Sequence, residues 1–165
     1  MARLFIAVWP PSEVVDLINT LERVEADGVR FTEPDQWHVT MRFFGEIDVS
    51  TASVALRSVQ ANSATAVLGP LVSRLGSDVI VAPASGLDRM AEAVRRATAA
   101  VGAPPDSRPF VGHLTLARTR QAESVSLIGA TISGEFRVDE LALVQSPRDN
   151  DGAGYETIAT HRLLA

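Results

Sequence analysis

The 165-residue chain has no cysteine and no lysine, three histidines and few aromatic residues. Without cysteine there can be no disulfide, thiolate-held zinc or thiol nucleophile. Without lysine there can be no covalent lysyl-nucleotide, Schiff base or Walker A lysine. All 15 cationic side chains are therefore arginines, set against 20 acidic residues for a net charge of −5. That balance disfavours a grip on long nucleic acid, whose affinity comes mainly from cationic contacts to phosphates. A few local arginines still suffice to hold one terminal phosphate. No apolar run approaches the roughly 20 residues of a membrane helix. The apolar opening, Leu4 to Trp9, is short and runs into Pro10 and Pro11 where a cleavage site would stand. It reads as a buried first strand, not a signal peptide, so a cytoplasmic protein with no membrane partner is expected.

What remains is ordinary globular material, 46% apolar and 21% charged, of a length that predicts one domain over residues 1–165. A strand is predicted over Arg3–Val8. A helix follows, with Ser12 as N-cap, Glu13 in the first turn and a stripe of Val14, Leu17, Ile18, Leu21 and Val24. Residues 50–62 read as a weakly patterned helix. Thr65–Leu75 and Ser77–Ala82 read as paired strands turning at Gly76-Ser77. The clearest helix follows Gly86, with Leu87, Met90, Ala91, Val94, Ala97, Thr98 and Val101 on one face and Gly102 as its stop. Two strands, Gly134–Gln145 and Tyr155–Leu164, flank a turn-rich Ser146–Gly154.

The feature that organises this list is a repeat. Trp37-His38-Val39-Thr40-Met41-Arg42-Phe43-Phe44 and Gly112-His113-Leu114-Thr115-Leu116-Ala117-Arg118 share the order His-apolar-Thr-apolar, 75 positions apart (113 − 38). Each is predicted as a strand, and each follows a helix start by the same distance: 26 from Ser12 to His38 (38 − 12) and 26 from Leu87 to His113 (113 − 87). One His-x-Thr carries little information. Two on matched strands after matched helices predict two related α/β lobes, each giving one histidine to a shared cleft. Side chains alternate along a strand, so His38, Thr40, Arg42 and Phe44 are expected on the cleft face, with Val39, Met41 and Phe43 in the core. His113 and Thr115 likewise oppose Leu114 and Leu116. His161 lacks the pattern and reads as a strand or surface residue.

Two histidines facing one cleft suit paired acid–base work near neutral pH. Threonine hydroxyls two residues along can hold an anion between them, which points to a phosphodiester. No carboxylate has ligand spacing to either motif, so no metal is expected.

On these residues the chain resembles the 2H phosphoesterase superfamily, and within it the RNA 2′,3′-cyclic phosphodiesterases often labelled 2′-5′ RNA ligases. Arg3–Val8 is similar to that family's opening strand. Trp37 to Glu46 and His113 to Arg118 are similar to its two motifs. Leu143 to Ser146, with Gly152 to Glu156, resembles its closing hairpin; Gly112 stands where proline is expected. The resemblance implies an α+β, bilobal fold whose antiparallel sheets surround a central cleft. It implies hydrolysis of an RNA end or nucleotide carrying a 2′,3′-cyclic phosphate to a 2′-phosphomonoester, with neither cofactor nor metal, by a monomer. Carried over, His38 and His113 are the acid–base pair and Thr40 and Thr115 hold phosphate oxygens. His113 is assigned as base toward water and His38 as acid toward the leaving 3′-oxygen, although the two motifs are equivalent in the sequence. Arg118 is implied as a further phosphate ligand. Its parity is wrong for the cleft, so a bulge is expected before it. Arg42 is a candidate charge at the cleft rim, and Phe44 a candidate stacking surface for a base. Reversible ATP-independent 2′-5′ ligation by the same residues, and a non-catalytic module binding nucleotides or RNA ends, are the alternatives.

Overall fold

The computed structural model describes residues 1–120, 125–147 and 154–165. One order of elements occurs twice. The first set is β1 (Ala2–Val8), α1 (Ser12–Asn19), a short β2 (Val29–Phe31) and β3 (Val39–Ile47). After α2 (Val49–Arg57), β4 (Ala64–Leu68) and β5 (Ser73–Leu75) come β6 (Val79–Ser85), α3 (Asp88–Thr98) and β7 (His113–Thr119). The described chain ends with β8 (Gly134–Val138), β9 (Glu140–Gln145) and β10 (Glu156–Arg162).

In both sets the motif strand pairs antiparallel with the strand that opens it, β3 with β1 and β7 with β6. The two motif strands meet at a single pair, Val39 with Leu114, and hydrogen bonding runs through one curled ten-stranded sheet ordered β10-β9-β1-β3-β7-β6-β4-β8, with β2 paired to β7 and β5 to β6 beside that path. The helices trade places across that junction. Helix α1 packs on β8, where Leu17 fills the space a Cβ on Gly134 would need, and α3 packs on β3.

Sequence explains most of these elements. Helix α3 has the expected stripe buried at Met90, Ala91, Val94 and Thr98, with Asp88 in its first turn and Arg95 and Arg96 in its last, each favourable to the helix dipole. The apolar run of β1 is continuous because both its faces are covered: Leu4, Ile6 and Val8 join the main core, while Phe5 and Ala7 join a second cluster with Ala142 and Val144.

Several expectations are corrected. Ser12 does not cap α1; Pro11 does, and its carbonyl accepts from the Val14 and Val15 amides. The helix stops at Asn19, short of the Leu21–Val24 stripe, where the Thr20 hydroxyl donates to the Leu17 carbonyl at 2.6 Å and competes with the helix ladder. Strand β3 runs on through Gly45, which takes φ 75° inside it. The long strands predicted over 65–75 and 134–145 are each divided in two, and the turn at Gly76 joins β5 to β6. Of the turn before the last strand, residues 148–153, including Gly152, lie outside the described residues. Among the described residues no helix is long and apolar enough to cross a membrane.

Candidate active site

Antiparallel pairing of Val39 with Leu114 sets the two motifs head to tail, with His38 across from Thr115 and Thr40 across from His113. Both histidines and both threonines therefore lie on one face, about a local two-fold axis, while Val39 and Leu114 are fully buried beneath them.

The two imidazoles are held alike. His38 Nδ1 lies 2.7 Å from the Gln36 carbonyl, and His113 Nδ1 lies 2.7 Å from the Val111 carbonyl. A carbonyl only accepts, so each Nδ1 carries the hydrogen and each Nε2 is left to face the cleft. At Nε2 the rings differ. His38 Nε2 is 2.9 Å from Thr40 Oγ1, whose hydroxyl donates to it, whereas His113 Nε2 has no partner among the described residues. Their surroundings differ more. Phe5, Trp9 and Tyr155 enclose the His38 ring at centroid distances of 4.9, 5.5 and 5.2 Å. Trp9 is itself tied to β10 by a hydrogen bond from its indole to Thr157 Oγ1 at 3.2 Å. This enclosure is the main cause that lowers the His38 pKa; the Gln36 carbonyl opposes it, and the charges of His113 and Arg118 add to it.

Past the threonine, both motif strands bulge at the next residue. In β7 the register passes from Thr115 to Ala117, skipping Leu116, and in β3 from Thr40 to Arg42, skipping Met41. A bulge reverses the side-chain alternation, so the fifth residue after each histidine returns to the cleft face: Arg118 in β7 and Phe43 in β3. The bulge expected before Arg118 is thus present, and the Arg118 charge acts on His38. The same device overturns two expectations in β3. Arg42 and Phe44 do not face the cleft; Arg42 is 5% exposed and Phe44 fully buried, while Phe43, expected in the core, is 45% exposed opposite Phe5. Arg42 instead reaches across to the end of α3. It donates to Thr98 Oγ1, the carbonyls of Thr98, Val101 and Ala103, and that of Phe43.

Around the β7 bulge, the Thr32 hydroxyl lies 2.9 and 3.0 Å from the Thr115 and Leu116 carbonyls and accepts from the Trp37 indole at 2.9 Å. Gly112 has no room for a side chain, since a Cβ would stand 2.1 Å from the Ala84 carbonyl oxygen. It lets the run into β7 lie close against β6. His161 takes no part in the site; its Nε2 donates to the Val59 carbonyl at 2.7 Å. Sequence reasoning missed Phe5, Trp9, Tyr155 and Phe43. For Phe43 a signal was present, because the correction of parity applied to Arg118 applies equally to the first motif.

Residues 80–155 match the family model described as LigT-like phosphoesterase. Over that stretch, a little under half of its length, the chain is similar to the LigT-like phosphoesterases. A curated relative, the RNA 2′,3′-cyclic phosphodiesterase of Geobacillus stearothermophilus, is 28% identical over 181 residues; the alignment covers 97% of this chain and 57% of the relative. The chain thus spans little more than half the length of that relative. Among solved structures, E. coli LigT complexed with 3′-AMP superposes with a TM-score of 0.80 at 24% identity, covering 98% of each chain. A protein of Thermus thermophilus gives a TM-score of 0.74 at 26% identity, covering 96% of each. These likenesses carry the fold, a LigT-like curled antiparallel sheet with few helices. The family model's residues take in the second of the two motifs.

Proposed function

We propose that this chain is a LigT-like phosphoesterase that hydrolyses 2′,3′-cyclic phosphates at nucleotide or RNA ends to 2′-phosphomonoesters, using His38 and His113 and no metal. The observation that carries the reading is the matched pair of imidazoles, each fixed through Nδ1 by the carbonyl two residues before it, each presenting Nε2 to one cleft. The activity named for the Geobacillus relative is of the same kind.

A cyclic phosphate held between the motifs lies between two Nε2 atoms. Nε2 of His113 takes a proton from water as the water oxygen bonds to phosphorus. The phosphorus–O3′ bond breaks, and His38 Nε2 gives its proton to the departing 3′-oxygen, leaving a 2′-phosphate and a 3′-hydroxyl. Burial suits His38 to the acid role, because a lowered pKa makes its imidazolium the stronger acid. In the free protein that burial also favours the neutral ring, so His38 takes up its proton with the anionic substrate, whose charge opposes the desolvation. Thr40 and Thr115 donate to the non-bridging oxygens, Arg118 offsets their charge, and the half-exposed Phe43 ring, with the Arg3 guanidinium over it, stacks on a base.

The test is turnover of the four nucleoside 2′,3′-cyclic phosphates in EDTA, with product position read by phosphorus NMR. Formation of 2′-phosphates that ceases in both His38→Ala and His113→Ala is expected. A single mutant that keeps most of its activity would falsify the two-histidine mechanism. Adding RNA halves with 2′,3′-cyclic and 5′-hydroxyl ends to the same assay separates hydrolysis from joining.

A further inference from the structure

A second arginine stands beside Arg118. Pairing of β2 with β7 sets Arg30 directly opposite it. Residues so paired share one sheet face with Cβ atoms about 4.5–5.5 Å apart, and like charges in that position repel. The neighbours of Arg30, Val29 and Phe31, pack against the core, and Arg30 and Arg118 are both exposed. Among the described residues neither guanidinium has an acidic partner. The pair is held together all the same, because Thr32, next to Phe31 at the end of β2, is bonded to the bulge carbonyls of β7. Two adjacent cations on strands locked together, in a chain of net charge −5, are a place for anionic oxygens.

The two bulges present different side chains. The bulge in β3 presents Phe43, with the Arg3 guanidinium over its ring at 5.4 Å and in the half that carries Phe5, Trp9 and Tyr155, whereas the equivalent bulge in β7 presents Arg118 with Arg30 at its side. Of the two arginines, Arg118 is the one whose charge acts on His38. Arg30 is thus one strand removed from the histidines, within reach of a phosphate adjacent to the reacting one.

Building on the cyclic phosphodiesterase reading, we propose that Arg30 binds the phosphodiester joining the terminal nucleotide to its 5′ neighbour, so that the site selects an oligonucleotide end over a free cyclic mononucleotide. The cyclic phosphate sits at Arg118 and the histidines, the terminal base at Phe43, and the chain leaves the cleft across β2.

Three substrates test it: adenosine 2′,3′-cyclic phosphate, the adenylyl-adenosine dinucleotide ending in the same group, and that dinucleotide with a neutral methylphosphonate linkage. For the wild type, KM should be about tenfold lower for the charged dinucleotide than for the neutral one. Arg30→Gln should abolish that difference by raising KM for the charged dinucleotide alone. It should also flatten the dependence of log KM on log salt for that substrate by roughly 0.7, the loss of one single-strand phosphate contact. An equal rise in KM for all three substrates would place Arg30 on the reacting phosphate, and no rise for the charged dinucleotide would leave it without a ligand; either overturns the proposal. Failure of the wild type to cleave any of the three would instead overturn the cyclic phosphodiesterase reading beneath it.

Discussion

Replacing Arg42 by alanine separates the two accounts of that residue, cleft charge or internal brace. The residue is 5% exposed, and its guanidinium donates to Thr98 Oγ1 and to the carbonyls of Phe43, Thr98, Val101 and Ala103. It also lies over the buried Phe44 ring at 4.9 Å, and burial lowers its pKa. Truncation removes a donor from four carbonyls and a hydroxyl at the junction of β3 with the end of α3, although the Thr98 carbonyl keeps the Val101 amide and the Thr98 hydroxyl keeps the Val94 carbonyl. Each buried group left unsatisfied costs roughly 1–3 kcal/mol, less where water can enter. With water filling part of the vacated space, the loss should be about 4 kcal/mol, large for a single substitution. On a urea slope of about 2 kcal/mol per molar, that moves the unfolding midpoint down by about 2 M. Arg42→Lys, which keeps the charge but loses the fork, should recover only part of this. Urea melts followed by circular dichroism, with KM measured on the folded fraction, make the assay. An unchanged midpoint with a tenfold rise in KM would show that Arg42 contacts substrate and that the bulge at Met41 has been misread.

Other consequences can be checked independently. Tyr155→Ala opens one wall of the His38 enclosure, so the His38 pKa should rise toward its ordinary value of 6.5; proton NMR titration of the ring reports it, and no movement would mean that Tyr155 does not desolvate the ring. The same lowered pKa sets a sign for stability. Above pH 6.5 both folded and unfolded chains hold His38 neutral; as pH falls from there, the unfolded chain takes up the proton first, and stability declines until the folded-state value is passed. His38→Gln should remove that part of the decline, seen as a smaller difference in urea midpoint between pH 8 and pH 5 than in the wild type. Gly112→Ala drives a Cβ toward the Ala84 carbonyl and should cost about 1–3 kcal/mol as the β6–β7 contact opens, again read from the urea midpoint.

Much of this was legible from the chain alone. The double His-x-Thr motif and its equal spacing from two helix starts mark both motif strands, and both strands and helices are where that pattern puts them. Strand alternation then places His38, Thr40, His113 and Thr115 correctly but fails beyond them, because a single inserted residue reverses every later side chain. The need for a bulge was apparent in β7, where Arg118 had the wrong parity. It was hidden in β3, where uncorrected alternation produced a plausible cleft face of Arg42 and Phe44. The enclosure of His38 could not be read locally, since Phe5, Trp9 and Tyr155 come from opposite ends of the chain and meet only when β9 pairs with β1. The early end of α1 is a matter of local competition, a threonine hydroxyl against a ladder bond, that apolar periodicity does not register.

The central claim is that two equivalent histidines, one from each half, act on one cyclic phosphate. Its most direct test is hydrolysis of adenosine 2′,3′-cyclic phosphate in EDTA by the wild type, His38→Ala and His113→Ala, with phosphorus NMR of the product. The account predicts a 2′-phosphate from the wild type and near-complete loss in both variants. Comparable turnover by either variant, or activity that appears only when a divalent metal is added, would contradict it.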